Sequence, residues 1–288
     1  MKRLLVCGLC LVHIKCAPPP AELAETLVGG AEAGEMVPDA TSSAPEDMGT
    51  SIDASVWPRM GGVWRVDQNT VLRAELPVLG QEVETLIQVV LLVEIRQSAD
   101  ELWLYQKTCD VRMENTPALN QTLLPDAFIS SLPRLDRRAQ LTLSPSGDFK
   151  LTAPRFYEQR GVTLAAPESD SLPTDSLDPR VFDQDEDGKP GLTAQLIGFP
   201  EGDVNLIQVS WDEWSGTLLF NQDDLQVTSV IGTLKWDQRQ MIIEASNPVL
   251  KIDVPRWIPE DTDLHRFEMR PVESFQCPPR RESPRPEQ

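Results

Sequence analysis

The chain has 288 residues, 25 of them proline, and a formal net charge of −19 at neutral pH. That balance argues against nucleic acid as a partner, because holding a phosphate backbone requires a basic surface. Only two histidines occur, His13 in the leader and His265 near the end, which excludes a multi-histidine zinc or iron centre within the mature chain.

Residues 1–15 read as an export signal. Lys2 and Arg3 are its positive region, and Leu4 to Ile14 is an apolar core, too short to span a bilayer that takes about 20 residues. Cys16 precedes Ala17-Pro18-Pro19-Pro20, the pattern of a mature bacterial lipoprotein, although Lys15 stands where a small residue is usual. We expect lipid on Cys16, with simple secretion as the alternative. Residues 16–56 form an acidic linker containing Glu22, Glu25, Glu32, Glu35, Asp39, Glu46, Asp47 and Asp53 and no Lys or Arg. Such a segment buries too little apolar surface to offset its chain entropy, so it is expected to be a disordered tether.

A β-rich domain is expected over 57–277. Gly61 to Val66 and Val71 to Leu76 alternate as strands do. Thr85 to Arg96 and Leu102 to Met113 read as a hairpin turning at Gln97 to Asp100, with a helix as the rival over Val83 to Arg96. Pro125 to Leu132 suggests a helical turn, and Ala139 to Leu143 and Phe149 to Leu151 are further strands. After an acidic stretch the pattern predicts strands at Leu192 to Gly198, Asp203 to Asp212, Ser215 to Asn221, Gln226 to Trp236 and Met241 to Ala245. Turns are expected around Glu213-Trp214 and at Asp237 to Arg239. This spacing predicts an antiparallel meander, closed as a barrel or folded as a sandwich. Residues 278–288, rich in Pro and charge, read as a disordered tail.

One stretch asks for a particular chemistry: Asp183-Gln184-Asp185-Glu186-Asp187-Gly188-Lys189-Pro190-Gly191-Leu192-Thr193. Carboxylates at positions 1, 3 and 5, a glycine at 6 and a backbone carbonyl at 7 are what a loop uses to wrap calcium. The expected metal residues are therefore Asp183, Asp185, Asp187 and Lys189, the last through its carbonyl. Position 12 is Ala194 where an EF-hand supplies a bidentate Glu, and a strand follows in place of an exit helix. Asp178 and Glu186 are local candidates for the missing ligand, and a solvated acidic turn is the competing reading. The half-loop resembles the calcium loops of dockerins and thrombospondin type 3 repeats.

The same element (Asp183, Asp185, Asp187, Gly188, Pro190, Gly191, Thr193) and the short strands after it resemble uncharacterised exported proteins and lipoproteins of myxobacterial type. That resemblance implies export and a β-rich domain and carries no activity. Gly62-x-Trp64 is similar to the opening of a lipocalin-type (calycin) barrel.

Cys109 and Cys277 are the cysteines left beyond the leader and its junction, and in an oxidising compartment they are expected to pair. Trp211-Asp212-Glu213-Trp214 sets two acids between two aromatics, which a carboxylate-dependent, glycosidase-like hydrolase could use. The expectation is an envelope lipoprotein, membrane-anchored in the periplasm or at the cell surface. Its calcium-stabilised β domain would have a non-enzymatic role, binding a small apolar ligand or an envelope protein.

Overall fold

Alternation of buried and exposed side chains, clearest over Glu101–Thr108 and Arg137–Thr142, accompanies long antiparallel strands. The computed structural model describes residues 57–76, 80–118, 120–198, 200–252 and 254–279. The signal, Cys16 and the linker read in 1–56, and most of the tail, lie outside them. The strands are β1 (Gly62–Leu76), β2 (Gln81–Ser98), β3 (Glu101–Thr116), β4 (Asn120–Leu123), β5 (Leu135–Leu143), β6 (Phe149–Arg160), β7 (Leu192–Gly198), β8 (Gly202–Phe220), β9 (Val227–Ala245), β10 (Arg256–Trp257) and β11 (Arg266–Val272). One short helix, α1 (Asp126–Ser131), lies where the helical turn is expected.

The pairings β1–β2–β3–β5–β6–β8–β9–β11, with β11 returning to β1, form a closed antiparallel circuit of eight strands. The meander is therefore ring-like, which decides between the two architectures left open by the sequence. Every strand of the ring sends apolar residues inward: Trp64 and Val66 from β1, Val93 and Ile95 from β2, Leu104 from β3, Leu141 from β5, Leu151 from β6, Trp214 from β8, Val230 from β9 and Phe267 from β11. These side chains fill the interior. Trp214 packs on Phe267 with ring centroids 5.2 Å apart, within the range where aromatic pairs attract.

Room for that pair comes from two glycines facing each other across β8 and β9, Gly216 and Gly232. A Cβ on Gly232 would lie 2.6 Å from the Gly216 Cα and 2.7 Å from the Phe267 ring. Glycine is required here by close approach.

Beyond the ring, the start of β8 and the end of β9 project as a two-stranded platform, widened by β7 and then β4. One face buries Ile207, Val209 and Ile243 against Val162 and Leu164. The other buries Val204 and Ala194 against Leu250. Cys109 in β3 is bonded to Cys277, joining positions 168 residues apart and tying the C-terminal segment to the sheet.

Two expected turns are absent. Glu213-Trp214 and Asp237 to Arg239 lie inside the continuous strands β8 and β9, each 19 residues long. Glu213, Gln238 and Arg239 have cross-strand or tertiary partners there. Glu213 is bonded to Arg155, and the Arg239 guanidinium donates to the Asp170 and Pro167 carbonyls. The rival helix over Val83 to Arg96 is strand, and its hairpin turns at Ala99, whose φ is +54°.

Gly232→Ala should cost roughly 1–3 kcal/mol, the usual range for overpacking a core. Urea unfolding followed by tryptophan fluorescence measures it, and an unchanged midpoint would mean that Phe267 does not need the space.

Candidate metal centre

Between β6 and β7 the chain makes an excursion, residues 161–191, without a named strand or helix. Long irregular segments inside a packed domain are uncommon and need specific closures. Here the base is closed by short pairings of Val162 with Val181 and of Asp183 with Gly191. Phe182 N–H donates to the Gly161 carbonyl at 3.1 Å, and Gly191 N–H to the Phe182 carbonyl at 2.9 Å. The Gln184 side chain fastens the same point: it accepts from Gly161 N–H at 2.6 Å and donates to the Ser131 carbonyl, at the end of α1. Gly191 has φ +88°, and a Cβ on it would run into Leu206 of β8.

The acidic loop sits on this base. Asp183 curls back over the turn, accepting from Asp187 N–H at 3.3 Å and from Gly188 N–H at 2.8 Å. Gly188 has φ +83°, the left-handed turn expected of the sixth position. Asp187 accepts from Lys189 N–H at 2.9 Å and from the Thr193 hydroxyl at 2.5 Å. Asp185 accepts from Thr193 N–H at 2.9 Å through one oxygen. Its other oxygen, Oδ1, is buried and has no hydrogen-bond partner.

Each of Asp183, Asp185 and Asp187 offers one carboxylate oxygen within 4.8 Å of the others. Five of the six oxygens accept a hydrogen bond, and the exception belongs to the one residue of the three that is only 8% exposed. Burial pushes the Asp185 carboxyl above its ordinary range; the Thr193 N–H opposes this, and the charges of Asp187 and Asp183 add to it. Leaving a buried polar atom unpaired costs about 1–3 kcal/mol, more for a charged group, so this oxygen calls for a cation or a proton.

An all-oxygen donor set suits a hard cation; without nitrogen or sulfur it is a poor zinc site. The cluster could hold a metal ion and is compatible with calcium.

The other residues expected at the site are distributed differently. Lys189 turns its ammonium toward Asp203 of β8, at 3.6 Å. Asp178 is not a spare ligand. Both its oxygens face the Arg180 guanidinium, at 2.8 and 3.0 Å, and this pairing holds its carboxyl at about 2. Glu186 occupies a left-handed position, φ +58°, with an exposed side chain. Ala194, in place of the EF-hand glutamate, is a buried residue of β7. In the sequence Thr193 shows only as part of the motif and Asn205 carries no signal, yet Asn205 donates to the Thr193 hydroxyl at 2.7 Å. The Thr at the end of the motif was the available signal.

Asp212 and Glu213 do not form a pair of free carboxylates. Adjacent residues on a strand point to opposite faces. Asp212 is ion-paired with the buried Arg137 and accepts from the Trp214 indole at 2.9 Å; Glu213 is 3.0 Å from Arg155. A depression of about 400 Å³ beside them is lined by a single acid, Glu213.

The chain matches no family model, no curated protein and no solved structure. No role is therefore carried onto these residues from a relative.

The raised Asp185 carboxyl predicts a pH dependence. In the cation-free protein the fold keeps this proton to higher pH than the unfolded chain does. Asp185 then contributes stability that is complete below the unfolded value of about 3.9 and is lost as pH rises through the elevated folded value. In EDTA, Asp185→Asn should remove that loss, so the variant's melting temperature should gain on the wild type as pH is raised from about 4. A difference between the two that does not vary with pH would mean Asp185 is not desolvated.

Proposed function

We propose that this is an exported protein of the cell envelope whose β domain is held by a structural calcium ion and serves a non-enzymatic binding or structural role. The observation that carries the calcium reading is the buried, unpartnered Oδ1 of Asp185, on a carboxylate that comes within 4.8 Å of those of Asp183 and Asp187. Three carboxylates supply part of the 6–8 oxygens that calcium takes at about 2.3–2.6 Å, and the seventh-position carbonyl of Lys189 would add another. The ion would supply charge that the loop lacks and no reaction chemistry.

Export is supported by the Cys109–Cys277 bond, since disulfides persist in oxidising compartments. Lipid on Cys16 would anchor the domain to a membrane, with residues 17–56 as its tether. The ring is filled by its own side chains, so a partner on the outer surface, such as another envelope protein, suits it better than a small apolar ligand inside. The hydrolase reading has no favouring observation: each acid of the Trp211 to Trp214 segment is matched to an arginine.

Calcium should raise the melting temperature and EDTA lower it. At a free concentration 100 times Kd the gain is about 2.7 kcal/mol; differential scanning fluorimetry with no shift either way ends the calcium reading. In a bacterial host Cys16→Ala should move the protein from the membrane to the soluble fraction, and unchanged fractionation excludes the lipid anchor.

A further inference from the structure

The motif that supplies the carboxylates ends in Thr193, and this residue touches two of the three. Its backbone N–H holds Asp185 at 2.9 Å and its hydroxyl holds Asp187 at 2.5 Å. A hydroxyl has one hydrogen to give. The direction of that hydrogen is set by Asn205, whose amide donates to the Thr193 oxygen at 2.7 Å and so leaves the Thr193 hydrogen for Asp187. Thr193 and Asn205 are direct cross-strand partners in the β7–β8 ladder, and both are buried, 6% and 4% exposed. The relay Asn205 to Thr193 to Asp187 therefore runs from the sheet to the loop through two buried groups and ends on the exposed Asp187.

Asp187 needs such help more than Asp183 does. Asp183 is held by two backbone N–H groups of its own turn, whereas one Asp187 oxygen depends on a side chain from outside the loop. Each oxygen that accepts one hydrogen bond keeps a lone pair for an ion, so the Thr193 bond aims the carboxylate without consuming it. We propose that Thr193, with its donor fixed by Asn205, is a positioning residue for the calcium site: it sets Asp187 and Asp185 in register before the ion arrives. This rests on the calcium reading above. It adds that affinity is controlled from β7 and β8 rather than by the loop alone. Groups that orient metal ligands typically cost 10–100-fold in affinity when removed.

The test is calcium titration calorimetry on the full chain, with melting temperature in EDTA as the control for folding. Thr193→Val keeps shape and strand propensity and replaces the hydroxyl by a methyl; it should weaken calcium binding by about 10–100-fold. Thr193→Ser restores the hydroxyl and should bind within a few-fold of wild type. If Thr193→Val melts lower than wild type in EDTA, Thr193→Ala, which removes the hydroxyl without a second methyl, replaces it. Equal affinity of wild type and the hydroxyl-less variant overturns the positioning role and leaves the calcium site standing. Weakening by Ser as large as by Val also overturns it, because the hydroxyl would not be what matters. If wild type itself takes up no calcium, the calcium reading fails, and the positioning role with it.

Discussion

The β8–β9 ladder constrains everything else in the domain. It pairs Val204 through Phe220 with Val227 through Ala245, and its two ends do different work. One end is the wall through which the ring closes, with β6 on one side and β11 on the other. The other end leaves the ring and is buried on both faces, with Ile207 and Val209 toward the 161–191 excursion and Val204 and Leu206 toward Leu250. A slip of one residue would send every side chain of a strand to the opposite face. Here such a slip would also separate Gly216 from Gly232 and leave the Trp214–Phe267 stack without its space. Register in this hairpin is thus set by core packing at one end, while at the other the β7–β8 ladder sets where Asn205 meets Thr193.

Two aspartates in one excursion show how environment decides what a carboxylate is for. Asp178 is solvent-facing, gripped by Arg180 through both oxygens, and its carboxyl is held at about 2. Asp185, seven positions on, is buried beside two like charges, and its carboxyl is raised. The first is a finished ion pair. The second is an unfinished one, stabilised by backbone N–H groups, chiefly that of Thr193, with no positive side chain among the described residues as its partner. Like charges at this range repel more strongly as water is excluded, so the loop holds an electrostatic cost that a divalent ion would remove.

How far the sequence could be read follows from how local each determinant is. The hairpin after Gln81, the helical turn at α1, the strand at β7 and the Cys109–Cys277 pair were all readable, because alternation, a turn signal or cysteine count is enough. Ring closure was only half readable. β11 follows a stretch with proline and acids and presents one short alternating run, so its pairing with β1 and β9 depends on residues some 200 and 35 positions away. The false turns within β8 and β9 arose because clustered polar residues signal solvent when seen alone. Their partners, Arg137, Arg155 and the Asp170 and Pro167 carbonyls, come from other strands and loops. The acid cluster was visible in full, while its support by Asn205 was not, since cross-strand register is invisible along one chain.

Paired acids between tryptophans and spaced acids in a loop look equally suggestive as strings, and tertiary structure separates them. A site for a cation or a reacting group needs carboxylate oxygens that converge and at least one that the protein has not already satisfied. Asp212 and Glu213 fail the first condition, facing opposite sides of β8, and each is paired with an arginine stacked on an aromatic ring, Arg137 on Trp214 and Arg155 on Trp211. Those contacts sew β5, β6 and β8 together and leave no charge for chemistry. Asp183, Asp185 and Asp187 meet both conditions, and the unsatisfied oxygen belongs to the most buried of the three. The chemistry of the domain is therefore sought at the corner where the excursion rejoins the sheet, and the wall of the ring is left to packing.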